Sequence, residues 1–143
     1  MKKVLLCMII VISMISSVVQ ASVLEDVNHV MCYYGNPNYP YFSFGNHAGT
    51  IIDVSSAVRD PGSNSWFDYI KVSSYSVDFA TGKHEYHGVL VFRTDSYGRL
   101  YFGRDVYGSD WIEITPASFG RHMTQAYYCC FDKLTAEKAA SWR

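Results

Sequence analysis

The sequence predicts an α+β fold, in which a twisted antiparallel β-meander carries a C-terminal helix packed on one face. Residues 66–115 contain no proline, are dense in Val, Ile, Tyr, Phe and Trp, and are interrupted by turn-forming residues at short intervals. Beyond Pro116 the apolar residues recur at helical spacing instead. A small β-barrel closed by the same strands is the alternative architecture.

The first residues of the chain predict export. Two lysines precede a mostly apolar run at residues 4–15, and Ala21 supplies the small side chain that a cleavage site before Ser22 requires. The run is short for a bilayer crossing, which disfavours a membrane anchor. We therefore expect a cleaved signal peptide at residues 1–21 and a single β-rich domain at residues 22–143. The expected location is periplasmic or secreted, with no membrane association after cleavage.

Charge and motif content exclude several classes of function. Loss of Lys2 and Lys3 from the 12 basic residues of the 143-residue chain leaves 10 against 13 acidic residues. No basic stripe runs along the sequence, so we predict no nucleic-acid partner. The chain contains no glycine-rich phosphate loop and no nucleophile-elbow motif, and we predict no cofactor.

Cysteine usage predicts one disulfide bond. Cys7 leaves with the signal peptide, whereas Cys32, Cys129 and Cys130 remain. An oxidising compartment favours a bridge, and adjacent cysteines rarely pair because the small ring is strained. Helical spacing directs Cys130 to the core, so we expect Cys32 to bond Cys130, with Cys129 as the alternative partner.

The segment before the meander divides into two parts. Residues 22–31 have capping-box spacing and one apolar face, which predicts a short helix, with a strand as the alternative. Residues 33–44 contain Pro37 and Pro40, which exclude a central strand or a helix interior. We expect an irregular loop there that holds the aromatic residues Tyr33, Tyr34, Tyr39, Tyr41, Phe42 and Phe44.

Alternation of apolar residues predicts the first strands of the meander. A strand is expected at residues 50–58, followed by a turn and a second strand. The apolar residues of this second strand change phase between Val72 and Tyr75, and a bulge at residues 73–74 would keep both sets on one core face. Residues 88–92 are continuously apolar, which predicts a central strand covered on both faces.

The end of the chain is predicted to be helical. A helix over residues 117–130 would place Ala126, Tyr127 and Cys130 on one face, and a strand over residues 126–131 is the alternative. Thr135 would cap a separate tail helix. Between these elements we expect turns at 81–83, 95–98 and 107–110, and short strands at 100–102 and 111–115.

Two histidines suggest a metal site that the spacing does not support. His84 and His87 flank Glu85, but residues three apart on a strand face opposite sides of the sheet. A metal site needs three or four converging ligands, and no further ligand cluster lies near them in the sequence. We therefore predict surface histidines and no metal.

A second set of titratable residues resembles the catalytic trio of small secreted ribonucleases. Glu85 precedes Tyr86 on a predicted strand, an Arg-bearing strand follows, and a histidine lies nearer the C-terminus. The resemblance implies that the Glu accepts the 2′-hydroxyl proton, the Arg stabilises the phosphorane charge, and the His protonates the leaving oxygen. The candidates for these roles are Glu85, Arg99, Arg104 and His122.

Aromatic content favours binding over catalysis. The chain holds 12 Tyr, 8 Phe and 3 Trp, more than a core of this size needs, so some of these rings should be exposed. We predict an inhibitor or immunity protein that occludes an envelope-directed toxin or lytic enzyme. The predicted binding residues are Tyr33, Tyr34, Tyr39, Tyr41, Phe42, Asp105, Asp110 and Trp111.

Two other functions remain open at this point. A glycan-binding or toxin-delivery subunit would stack Trp66, Trp111 or the loop tyrosines on sugar rings. A ribonuclease-like enzyme would use the trio described above. In the protein-binding hypothesis, Asp105 and Asp110 would meet basic residues of the partner and speed the encounter.

Overall fold

A six-stranded antiparallel sheet, a separate β-hairpin and one long helix make up the part of the chain that the structure describes. The structure is a computed structural model that describes residues 23–44, 47–115 and 120–142. The predicted signal peptide therefore lies outside the described residues. The elements are β1 (Leu24–Val27), β2 (Val30–Tyr33), β3 (Tyr41–Phe44), β4 (Ala48–Arg59), β5 (Phe67–Asp78), β6 (His84–Asp95), β7 (Leu100–Gly103), β8 (Ile112–Glu113) and α1 (Gly120–Ala140).

The main sheet is a meander, which confirms the predicted α+β class. Its strands pair in sequence order from β3 to β8, and every pair is antiparallel. The sheet curls into a half-barrel, and the rings of Phe42 on β3 and Phe102 on β7 meet across it with centroids 5.2 Å apart. In the described ranges β3 pairs only with β4 and β8 only with β7, so the sheet stays open and is not the closed barrel of the alternative prediction.

Helix α1 covers the concave face of the half-barrel and forms the larger core with it. Its residues Ala126, Tyr127 and Cys130 are buried, as the helical spacing predicts. The Lys133 ammonium donates to the carbonyls of Ser55 and Ala57 at 3.1 and 3.0 Å, which ties the helix to β4. From the sheet, this core takes Phe42, Ile52, Val54, Ala57, Ile70, Val72, Leu90, Phe92 and Ile114.

The β1–β2 hairpin covers one end of the convex face and forms a second core. Val23, Tyr41, Ile51 and Val77 are its buried residues. Neighbouring residues such as Ile51 and Ile52 therefore belong to different cores, because successive side chains of a strand point to opposite faces. Where the helix and the hairpin lie over the same part of the sheet, both faces of the central strands are buried.

This two-sided burial corrects the predicted bulge at residues 73–74. Strand β5 runs without a phase change, and Val72 and Val77 face different cores rather than one. The partner strands carry the irregularities instead. On β4 the register shifts between Asp53 and Val58, and on β6 Ser74 pairs with Gly88 and Tyr75 with Tyr86. His87 is thus the extra residue of a β-bulge.

Residues 22–31 do not form the predicted helix. The described part of this segment is the β1–β2 hairpin, in which Asn28 and His29 both have positive φ, 53° and 69°. Positive φ at both central residues is the requirement of a type I′ hairpin turn, and it is incompatible with a helix. Short-range apolar spacing was therefore outweighed by turn chemistry and by the second core.

Residues 33–44 are not one irregular loop. They comprise the end of β2, a turn, and strand β3, with Pro40 forming an isolated antiparallel bridge to Cys32. Tyr41 and Phe42 are buried in the two different cores. β3 lies at the edge of the sheet, where a preceding proline is tolerated because it removes no internal ladder bond.

Three further predictions concern strand β6, the turns and the C-terminal helix. Leu90, Val91 and Phe92 are buried on both faces of β6, as predicted, whereas Val89 is exposed. Positive φ at Gly82 and Gly98 confirms two of the predicted turns. The predicted helix extends without a break to Ala140, so the separate tail helix is wrong.

Thr135 lies inside this helix rather than capping a second one. Its hydroxyl donates to the Phe131 carbonyl at 2.8 Å, a bond one turn back along the same helix. Within the described residues, no helix combines the length and the apolar composition that a membrane crossing requires.

All three described cysteines are free thiols, so the predicted Cys32–Cys130 disulfide is absent. Cys130 points into the larger core, and burial raises the pKa of its thiol to about 12. Burial also raises the pKa of Cys32 to about 11, and the neighbouring charges of Cys129 and Asp26 add to this rise. Cys129, the residue before Cys130 on the helix, is half-buried and packs against the same core.

A buried carboxylate fixes the turn between β4 and β5. Asp60 is only 7% exposed, and it accepts hydrogen bonds from the Lys71 ammonium at 2.5 Å and from the Gly62 backbone N–H at 2.7 Å. The Lys71 hydrogen bond, followed by that of Gly62, holds the pKa of Asp60 below its usual range.

We predict that Asp60 contributes to acid unfolding. Because its pKa is lower in the folded state, its stabilisation is present above the unfolded pKa of about 3.9 and is lost as the pH falls through the folded value. Asp60→Asn keeps an acceptor for Gly62 but removes the charge. Its unfolding free energy, measured by urea denaturation between neutral pH and about pH 3, should fall less on acidification than that of the wild type. Asp132→Asn, an exposed helix variant, should follow the wild type; equal acid slopes for Asp60→Asn and wild type would contradict the assignment.

Candidate functional site

The convex face of the sheet is aromatic at the end that the hairpin does not cover. Phe67 and Tyr69 are alternate residues of β5, so both point to this face. Tyr69 pairs in register with Arg93 on β6, and Arg93 pairs with Tyr101 on β7. Trp111 precedes β8, and its ring packs against the Arg93 guanidinium. We call Phe67, Tyr69, Tyr101 and Trp111, with Arg93 among them, the aromatic face.

The guanidinium of Arg93 holds the aromatic face together. Its central carbon lies 4.5 Å from the ring centroids of Tyr101 and Trp111 and 5.2 Å from that of Phe67. The Tyr69 ring approaches Trp111 with centroids 6.0 Å apart. Each cation–π contact is worth roughly 0.5–2 kcal/mol, the larger value applying when the site excludes water. The Nε atom of Arg93 is buried without a hydrogen-bond acceptor, so ring contacts dominate its surroundings.

Three further aromatic side chains project from the loops at this end of the sheet. Trp66, Tyr97 and Tyr107 are 67%, 83% and 89% exposed. Each follows an Asn or Asp by two residues, and the side-chain oxygen of that residue accepts a hydrogen bond from the backbone N–H of the aromatic residue. The pairs are Asn64–Trp66 at 2.8 Å, Asp95–Tyr97 at 3.0 Å and Asp105–Tyr107 at 3.1 Å.

These three Asx turns fix the backbone under each exposed ring. A turn of this kind replaces a missing backbone partner with a side-chain oxygen, and it orders the loop locally. The rings themselves remain in solvent. The geometry therefore presents large amphipathic side chains on an ordered backbone, which is the arrangement that lowers the entropy cost of binding.

Charged side chains around the aromatic face are largely paired with each other. Arg59 contacts Asp68 at 3.0 Å, and the Arg99 Nε donates to Asp95 at 2.8 Å. Burial alone would raise the pKa of Asp95, but hydrogen bonds from Arg99 and Tyr97 outweigh it and hold that pKa below its usual range. Pairing leaves ring surface, rather than unbalanced charge, as the main feature of the site.

The sequence-predicted binding residues divide between the cores and two surfaces. Tyr41 and Phe42 are buried and present no surface to a partner. Tyr34 is half exposed, and the Tyr33 hydroxyl donates to the Gly82 carbonyl at 2.6 Å. Tyr39 packs at the edge of the second core. This part of the predicted surface therefore lies at the β5–β6 turn.

The predicted acidic residues lie elsewhere. Asp105 and Tyr107 are within electrostatic range of Lys71, near the start of β5. Lys71 is seven residues from the end of β5 at Asp78, so the two surfaces are about 20 Å or more apart along the strand. Asp110 lines a cavity on the opposite, concave face. Of the predicted set, Trp111 and Asp105 belong to the surroundings of the aromatic face.

Several residues of the aromatic face were missed from the sequence. Arg93 gives no signal by itself, because its ring partners come from three separate segments. The exposed rings did leave a signal, since Asn or Asp stands two positions before each of them. The segments are Asn64-Ser65-Trp66, Asp95-Ser96-Tyr97 and Asp105-Val106-Tyr107.

The residues of the ribonuclease-like trio have other partners. Arg99 is bound to Asp95 in the β6–β7 turn, at the far end of β6 from Glu85. His122 lies on α1 with its ring 5.9 Å from that of Tyr41. Burial, followed by the nearby Arg121 charge, lowers the pKa of His122. Arg104 lies beside His87 instead.

The two histidines of β6 have different neighbours. The Nδ1 atom of His84 is 3.2 Å from the Tyr33 hydroxyl, whereas His87 faces Arg104. Among the residues that the structure describes, no group of three or more His, Cys, Asp or Glu side chains is arranged to hold a metal ion.

Comparison of the chain with protein-family models, with curated proteins and with solved structures finds no match in any of the three.

The aromatic face and its exposed rings should differ in their effect on stability. Trp111→Ala removes a ring contact to Arg93 and should lower the unfolding free energy by about 2 kcal/mol. Tyr97→Ala removes a ring that lies in solvent and should change it by less than about 0.5 kcal/mol. Urea denaturation of the two variants checks both values, and a cost for Tyr97→Ala as large as that for Trp111→Ala would show that the exposed rings are structural.

Proposed function

We propose that the chain is an exported binding protein, an inhibitor or immunity protein that occludes an envelope-directed toxin or lytic enzyme. Its recognition surface is the aromatic face together with the three exposed rings, Trp66, Tyr97 and Tyr107. The observation that supports this proposal is the set of three Asx turns, which order the backbone while leaving the rings in solvent.

Energetics favour these rings as anchors of a protein interface. Hot spots of protein interfaces are enriched in Trp, Tyr and Arg, and they gain most when the free protein already holds the bound backbone conformation. The partner would bury the rings, and the paired charges of Arg59–Asp68 and Arg99–Asp95 would form the polar rim. The proposed location is periplasmic or secreted, which rests on the predicted signal peptide.

The binding proposal is tested by capture of a partner with the chain that begins at Ser22. We expect one stoichiometric hydrolase or toxin from envelope extract or culture supernatant, identified by mass spectrometry. Alanine substitution at Trp66, Tyr97 and Tyr107 should each weaken the purified complex by about tenfold or more, the usual cost of a hot-spot truncation.

Two controls separate this surface from others. Tyr128→Ala removes a ring that is 55% exposed on α1, and the complex should tolerate it. Tyr34→Ala tests the surface at the β5–β6 turn. Loss of the complex with Tyr34→Ala but not with Tyr97→Ala would place the interface at the tyrosine turn and contradict the proposal.

An oxidising compartment would also act on the cysteines, and we propose that Cys32 pairs with Cys129 there. The Gln125 amide donates to the His29 carbonyl of the hairpin at 2.7 Å, and Cys129 lies one helical turn further on the same face. Formation of the bond transfers two electrons from the two thiols to an oxidant such as glutathione disulfide, which is reduced to two thiols. Closing a loop of this length contributes roughly 4–5 kcal/mol in the chain-entropy model.

Serine variants distinguish the two possible bridges. After oxidation with glutathione disulfide, Cys130→Ser should keep a bridge, seen by mass spectrometry as the loss of two hydrogens and by linked peptides after digestion. Cys129→Ser should lack it. The reverse pattern would restore the Cys32–Cys130 prediction, and no bridge in the wild type would exclude both.

One observation favours glycan binding as the second candidate function. Trp66, Phe67 and Tyr97 line a hollow of about 180 Å³ together with the polar side chains of Asp95, Ser96 and Arg99. Rings that stack on a sugar and charged groups that bond its hydroxyls would share this hollow. Saturable binding of an oligosaccharide on a glycan array, lost in Trp66→Ala, would favour this function; absence of binding would remove it.

A further inference from the structure

A cavity on the concave face of the half-barrel is separate from the aromatic face. Its volume is about 660 Å³, within the range of roughly 300–1,000 Å³ that small-molecule sites occupy. All six strands of the main sheet contribute to its wall, and no residue of α1 does. The large apolar side chains of the wall are Phe42, Leu90, Phe102 and Ile112.

The β-bulge on β6 borders this cavity. Gly88 has a φ of 139°, and a Cβ built there would meet no atom within 4 Å, so the glycine faces open space. The buried Ser74 hydroxyl donates to the Gly88 carbonyl at 3.0 Å. The Ser74 hydroxyl and the Gly88 carbonyl therefore satisfy each other's hydrogen-bonding capacity. The floor of the cavity is thus suited to an apolar group.

Two basic side chains stand together at this cavity. The extra residue of the bulge, His87, has its Nε2 atom 3.5 Å from the Nη2 atom of Arg104, and both side chains are exposed. Among the described residues, Arg104 takes part in no ion pair. A guanidinium has five N–H donors, so donors remain for a ligand beyond the one that faces His87. Asp110 also lines the cavity and would oppose an anion.

We propose that this cavity binds a single-chain amphiphile with a carboxylate head group. The apolar chain would lie against Phe42, Leu90, Phe102 and Ile112, and the carboxylate would accept hydrogen bonds from Arg104 beside His87. The planar fork of a guanidinium matches the two oxygens of a carboxylate, so this head group complements the site.

Decanoate and its uncharged counterpart 1-decanol test the proposal on the chain that begins at Ser22. Titration calorimetry should show saturable binding of decanoate, about tenfold or more tighter than that of 1-decanol, since a hydrogen bond to a charged group is worth about tenfold or more. Backbone amide shifts in NMR should map to Gly88, Gly103 and Ile112. No saturable binding of decanoate, or equal affinity for 1-decanol, would overturn the proposal.

Charge variants give opposite expected signs. Arg104→Gln should weaken decanoate binding about tenfold, and Asp110→Asn should strengthen it, because one removes an attractive charge and the other a repulsive one. All three side chains in this comparison are exposed, including the matched control Arg121→Gln on α1, so the variants should fold. An effect of Arg104→Gln no larger than that of Arg121→Gln would refute the role of Arg104, and weaker binding by Asp110→Asn would refute the charge argument.

Discussion

The fold depends on the burial of both faces of the central strands. Successive residues of β4, Ile51 and Ile52, are both almost fully buried, and they belong to different cores. Such a strand is stable only where both faces are covered. Helix α1 supplies the concave cover over much of the sheet, whereas the convex cover is a hairpin of two four-residue strands. The convex face is therefore covered at one end only.

The uncovered end of the convex face needed another means of stabilisation. Arg93 fills this role, because its guanidinium lies against three rings. Lys71 and Asp60 close the adjoining turn with an ion pair in which the carboxylate is buried. Stabilisation by a ring-bound cation leaves aromatic surface in contact with solvent, and the proposed binding function would use that surface.

The concave face is likewise covered over only part of its area. α1 packs against β3 and β4, while the β6 bulge and the β7–β8 loop surround a cavity without help from the helix. A bulge adds one residue and re-aims a side chain, which here brings His87 next to Arg104. The two faces of one sheet thus carry two different surfaces, one aromatic and nearly charge-balanced, the other an apolar cavity with a basic pair.

Local patterns predicted the meander and the C-terminal helix well. Pro-free β-rich segments and turn glycines such as Gly82 act over a few residues, and the sequence displays them directly. The two-core arrangement could not be predicted in this way, since the phase change between Val72 and Tyr75 has two solutions: a bulge, or two covers. Choosing between them requires knowing that a hairpin, not a helix, precedes β3. Tyr41 and Phe42 were misjudged as surface for the same reason.

Hydroxyl-radical footprinting of the chain that begins at Ser22, alone and in envelope extract, tests the central claim most directly. In the isolated protein, the exposed rings of Trp66, Tyr97 and Tyr107 should oxidise rapidly and the buried ring of Tyr41 slowly, in line with their exposure. In the extract, the three exposed rings should become protected together while Tyr128 and Trp142 keep their rates. Unchanged oxidation of the three rings, or protection that falls on Tyr34 instead, would contradict an interface on the aromatic face.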